Sequence, residues 1–142
     1  MNTMIVTPFE NIGELRFGMT PSEVEKILGP SKSAREVASL KKVDEKREGT
    51  RCQYRGGELK AVFFVKPIPL ELEGVSLFED PVATHKYLMR HDTSFRDAGA
   101  YANFPKFGLC IGGFGKKRIP EGKVVIVYAK RELERYDEYI DA

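Results

Sequence analysis

The chain has 142 residues, 42% of them hydrophobic and 31% charged, with 23 Lys and Arg against 21 Asp and Glu for a formal net charge of +2. A chain of this length buries roughly two thirds of its unfolded surface without disulfides or metals, so residues 1–142 are read as a single domain, and so even a charge balance gives no general pull toward nucleic acid or anionic membrane. No run approaches the roughly 20 apolar residues of a membrane span, and MNTMIVTPFENIGEL has no basic start and breaks its apolar run at Pro8, so no signal peptide is expected and the reading is cytoplasmic.

The first strong element is LRFGMTPSEVEKILGP, Leu15 to Pro30. Thr20 stands where an N-cap belongs, Pro21 at the first helical position and Glu23 three residues after the cap, which completes a capping box. Met19 can staple onto Val24, and Val24, Ile27 and Leu28 form one apolar stripe. Gly29 and Pro30 end the helix after about two turns. So short a helix must be held by packing on a sheet, and every residue in it has a structural role.

Ala34 to Leu40, Arg51 to Arg55 and Leu59 to Lys66 read as strands, with turns at Lys46 to Gly49 and at Gly56-Gly57. VSLFEDPVATHKYL, Val75 to Leu88, repeats the earlier helix signal: Asp80 aligns with Thr20, Pro81 with Pro21, Lys86 with Lys26 and Leu88 with Leu28. Lys106 to Phe114 and Lys123 to Lys130 read as further strands, followed by a short helix from about Glu132 with Leu133, Tyr136 and Ile140 as its stripe. CQYRGGELKAVFFV and CIGGFGKKRIPEGKVVIVYA share a Cys-led strand, a glycine-rich turn and an apolar run. The expectation is an α+β fold: an antiparallel sheet with short helices on one face, built as a tandem helix-plus-β-meander repeat with halves 12–70 and 71–142. The other sheet face would then be open to solvent or a partner.

The residues that could carry chemistry are few. Gly112-Gly113-Phe114-Gly115-Lys116-Lys117 fails as a phosphate loop, because Cys110 and Lys117 stand where Gly and Ser or Thr are required. His85 and His91, six apart, do not share a helix face as a zinc pair would, and both read as solvated polar positions. Cys52 and Cys110 read as reduced core thiols, Cys110 lying among Phe107, Leu109 and Ile111. Lys116, Lys117, Arg118 and Lys123 make a basic turn interrupted by Glu121 and read as solvated. No catalytic residue, metal or cofactor is expected.

The informative stretch is Leu59 to Lys66. Alternation puts Lys60, Val62, Phe64 and Lys66 on one face and Ala61, Phe63 and Val65 on the other. The lysines mark the first face as outward, and Arg51, Gln53 and Arg55 alternate beside it. The predicted partner-binding set is therefore Arg51, Gln53, Arg55, Lys60, Val62 and Phe64, an aromatic ringed by cations.

FGMTPSEVEKILGP followed by a β-meander resembles the small bacterial α+β proteins that include the β-lactamase inhibitory protein and the small lipoprotein of the outer-membrane barrel assembly machinery. NFPKFGLCIGGF is similar to a strand of cytoplasmic immunity proteins of toxin systems. The specific match covers Leu15 to Pro30, 16 of 142 residues. The resemblance implies a non-enzymatic binding or inhibitory protein of immunity type, occluding a partner protein such as a toxin or effector through the open sheet face; from the charge balance, neither nucleic acid nor membrane is expected as partner. The chain departs from it in having no lipobox and no secretory signal. The alternatives are a homodimeric scaffold burying the same face, or an enzyme acting on a small anionic substrate near Gly112 to Arg118.

Overall fold

The computed structural model describes residues 3–66, 68–98, 101–113 and 124–136. Three short strands open the chain, β1 (Met4–Thr7), β2 (Asn11–Ile12) and β3 (Leu15–Arg16), followed by helix α1 (Pro21–Leu28). Then come β4 (Ser33–Val37), β5 (Lys42–Arg47), β6 (Thr50–Arg55) and β7 (Glu58–Val65). The order recurs with β8 (Leu70–Leu72), β9 (Val75–Ser76), α2 (Pro81–His91), β10 (Arg96–Ala98), β11 (Tyr101–Phe104), β12 (Leu109–Gly112) and β13 (Val124–Tyr128). A 3-10 turn at Lys130–Glu132 leads into helical residues 133–136.

Each of α1 and α2 is thus followed by four antiparallel strands, and the last strand of one meander pairs antiparallel with the last strand of the other. The result is an eight-stranded sheet in the order β10-β11-β12-β13-β7-β6-β5-β4. A second sheet, β3-β2-β1-β8-β9, contains the one parallel pair among the described strands, β1 with β8. The fold is α+β with sheets that are predominantly antiparallel. No helix among the described residues is long and apolar enough to cross a membrane.

The helix ends follow from the residues that encode them. The Glu23 amide donates to the Thr20 hydroxyl at 3.3 Å and the Thr20 amide donates to the Glu23 carboxylate at 3.1 Å, which closes the capping box. At α2 the Ala83 amide donates to the Asp80 carboxylate at 3.1 Å. The α1 entry is sewn to β7, with the Leu59 amide on the Met19 carbonyl and the Gly18 amide on the Leu59 carbonyl. Gly56 and Gly57 both have positive φ, as a two-residue turn between β6 and β7 requires.

The main core lies between the sheet and the helices. Val24 of α1 and Leu88 of α2 pack with Cys52, Tyr54, Leu59, Val62, Phe64 and Val127, all fully buried. A second, smaller core sits on the opposite sheet face, where Tyr136 and Leu133 cover Ala61, Cys110, Ile126 and Tyr128. That face was expected to be open, but the C-terminal segment covers its middle. Burial on both faces explains why β7 and β13 read as unbroken apolar runs, AVFFV and VVIVY. Ile140, the last residue of the expected stripe, lies outside the described residues.

Three expectations about strands are corrected. The first strand ends at Val37, because Ala38–Leu40 turn as a 3-10 helix and Lys41 adopts φ 51°. Lys46 and Arg47 lie in β5, leaving only Glu48-Gly49 as the turn into β6. The faces of β7 are reversed: Gln53 is opposite Ala61 but Tyr54 is opposite Leu59, so Lys60 is the extra residue of a β-bulge. Beyond the bulge Val62 and Phe64 share the inner face with Leu59, and the parity read from Lys60 does not carry to them.

Candidate binding face

With Phe64 turned inward, its neighbour Phe63 faces outward, half-buried, on the side that α1 and α2 leave uncovered. The register sets Lys46 opposite Arg51 and Arg51 opposite Phe63, one row across β5, β6 and β7. The Arg51 guanidinium lies 4.0 Å from the Phe63 ring centroid, a cation–π contact worth about 0.5–2 kcal/mol depending on its exposure. Val65 pairs with Val124 and is 40% exposed, extending the apolar part of the row.

These residues line a groove of about 420 Å³ together with Arg47, Gly49, Thr50 and Tyr101. A second depression of about 340 Å³, lined by Ser33, Ala34, Arg35, Asp44, Lys46 and Arg51, continues it toward the sheet edge at β4. Among the described residues the groove lining contains cations and apolar groups and no carboxylate. In the second depression Asp44 faces Lys42 at 3.8 Å, whereas Lys46 and Arg51 have no carboxylate within ion-pair distance among the described residues.

Arg47 anchors the end of the groove. Its Nε donates to the Gly29 carbonyl at 2.9 Å and its Nη1 pairs with Glu45 at 3.4 Å, while the side chain is 8% exposed. Its Nη2, like Arg51 Nε, is buried with no hydrogen-bond acceptor among the described residues. Glu45 also accepts from the Tyr54 hydroxyl at 2.8 Å. Burial pushes the neighbouring Cys52 thiol up to about 11, with Arg47 opposing and Glu45 reinforcing, so the thiol is held protonated and is a poor nucleophile. Cys110 is buried and likewise unbonded to another cysteine.

Of the predicted binding residues, Arg51 alone lies in the groove. Gln53 is buried and its Oε1 accepts from the Tyr136 hydroxyl at 3.5 Å. Arg55 pairs with Glu132 at 3.3 Å and so ties down the C-terminal segment. Lys60 pairs with Glu58 at 3.1 Å from the bulge. Val62 and Phe64 are fully buried and cannot meet a partner. Lys46, Phe63, Val65, Tyr101 and, in the adjoining depression, Arg35 take their place. A usable signal was the Glu48-Gly49 pair: a two-residue turn there sets Arg47 against Thr50, and hence Lys46 against Arg51.

His85 is half-buried, its ring edge-on to Phe104 at 6.2 Å, which corrects the fully solvated reading; His91 is exposed and lies against Tyr87 at 4.4 Å. No group of three or more His, Cys, Asp or Glu among the described residues could hold a metal ion. Within the glycine-rich turn Gly112 is fixed by the Tyr101 ring, which would lie 2.5 Å from an added Cβ. Phe114 to Lys123, including the basic Lys116, Lys117, Arg118 and Lys123, lie outside the described residues. Comparison of the chain with protein-family models, with curated proteins and with solved structures finds no match.

Proposed function

We propose that this is a binding protein of immunity type, which occludes an acidic partner protein with the outer face of its first meander. The observation that carries the reading is the row Lys46, Arg51 and Phe63, in which a guanidinium stacked on an aromatic ring borders a groove without a carboxylate among its described lining residues. An aromatic and an arginine side by side are the residue types that dominate interface energetics. Arg35 and Lys46, both exposed, extend the positive face toward the sheet edge, which favours an acidic partner through charge complementarity. The expected toxin or effector partner would dock here, away from Val62 and Phe64.

Affinity capture with the tagged protein from cells of its source tests this. The expected result is a partner recovered in stoichiometric amount by the parent and by Lys26→Glu, at an exposed position of α1, and lost with Arg35→Glu or Phe63→Ala. Equal recovery by all four proteins sinks the reading. Sedimentation that finds a dimer dissolved by Phe63→Ala would replace it with the homodimeric scaffold.

A further inference from the structure

We infer that the groove between Lys46, Arg51 and Phe63 is also a ligand site for a phosphate monoester carried on a flat ring. This goes beyond protein docking, because it assigns a small molecule to one part of the face. At about 420 Å³ the groove is within the roughly 300–1,000 Å³ range of small-molecule sites. Its two walls differ in kind. Lys46 and Arg51 supply positive charge on one side; Phe63, Val65 and Val124 supply an apolar surface on the other.

The charge count selects the anion. Glu45 already compensates Arg47, so Lys46 and Arg51 are left without a carboxylate partner among the described residues. A phosphate monoester carries about −1.5 to −2 at neutral pH, which matches two cations; a carboxylate carries only one charge. The hydrogen-bond count agrees. Arg51 Nε is a buried donor with no acceptor among the described residues, and a buried donor left unmade is unfavourable. The oxygens of a phosphate accept from guanidinium edges in the geometry an arginine fork presents. With Arg51 itself stacked on Phe63 at 4.0 Å, the apolar wall for the ring of the ligand is Val65 and Val124, beside the same cation that holds its phosphate.

The test is an amide-resolved NMR titration of the full chain with phenyl phosphate, inorganic phosphate and benzoate. Phenyl phosphate should give saturable shifts at Gly49, Thr50 and Arg51, and bind about tenfold more tightly than either other probe, a difference of about 1.4 kcal/mol. Lys46→Gln and Arg51→Gln should each weaken it by about tenfold or more, and because Lys46 is exposed its variant keeps the fold. Three results overturn the inference: no saturation with phenyl phosphate, affinity untouched by Lys46→Gln, or equal affinity for inorganic phosphate or benzoate. Arg35 is outside this groove, so Arg35→Glu should lose the partner protein yet keep phenyl phosphate, which separates failure of one proposal from failure of the other.

Discussion

The rings of Tyr128 and Tyr136 are stacked, 4.7 Å between centroids and 14° from parallel. Tyr128 belongs to the sheet and Tyr136 to the segment that closes over it, so this pair fastens the C-terminal cover. Glu132 adds a second tie, between Arg55 and Arg135 at 3.3 Å each. Tyr136→Ala should cost about 3 kcal/mol of stability, from lost burial and the lost ring pair. Tyr136→Phe keeps the ring stack and should cost clearly less than Tyr136→Ala. Urea unfolding of the two variants checks the pair; equal losses would mean that the hydroxyl and not the stack holds the cover.

The two neighbouring phenylalanines of β7 should behave in opposite ways. Phe64 is fully buried, and Phe64→Ala is expected to cost about 3–5 kcal/mol through lost transfer energy and the cavity left behind. Phe63 is half-buried under Arg51, and Phe63→Ala should cost about 1–2 kcal/mol. Thermal melts order them, and a lower melting temperature for Phe63→Ala would reverse the face assignment.

Thr20→Ala removes the acceptor of the Glu23 amide and should destabilise by about 1 kcal/mol. Thr20→Ser keeps the hydroxyl and should stay within about 0.5 kcal/mol of the parent, as measured by denaturant midpoint at constant slope.

Stability should fall in alkali. The folded chain holds the Cys52 proton up to about 11 against an ordinary 9.0, chiefly through burial, while the unfolded chain releases it near its ordinary value. The contribution is therefore complete below about pH 9 and is lost as the pH rises toward 11, amounting to about 2 kcal/mol. Burial raises Tyr54 and Tyr136 as well, with loss in the same direction at higher pH. Denaturant unfolding at stepped pH should show a shallower alkaline decline for Cys52→Ala than for the parent; parallel curves would remove Cys52 as the cause.

The helices were legible because their signals are local: Thr20 with Glu23, and Asp80 with Pro81, state the start of a helix within four residues. Strands β7, β12 and β13 were legible from their apolar content, and β6 from the alternation of Arg51, Gln53 and Arg55 with Cys52 and Tyr54. β5 was not, because KVDEKR has a single apolar residue. Its inward positions are Val43, Glu45 and Arg47, and the last two are admitted to the interior by bonds to Tyr54 and Gly29, which are remote in sequence. The binding face failed for a related reason. One bulge residue, Lys60, changes the parity of everything after it, and a bulge is a property of two paired strands that a single strand's pattern does not display. Nor could sequence alone show that residues 130–136 return to cover the far side of the sheet, since that depends on Tyr136 finding Tyr128.

The seam between β7 and β13 also orders events in time. β13 begins 59 residues after β7 ends, so at ribosomal speeds of roughly 5–20 residues per second the edge of β7 waits about 3–12 seconds for its partner. During that wait AVFFV is an uncharged, strongly β-forming stretch on an unpaired edge, the composition that seeds intermolecular sheets. Lys60 and Lys66 bracket it on both sides. Charges at the two ends of an unavoidable apolar strand act as gatekeepers against aggregation, so the lysines that misdirect the reading of the mature surface protect the nascent chain before that surface exists.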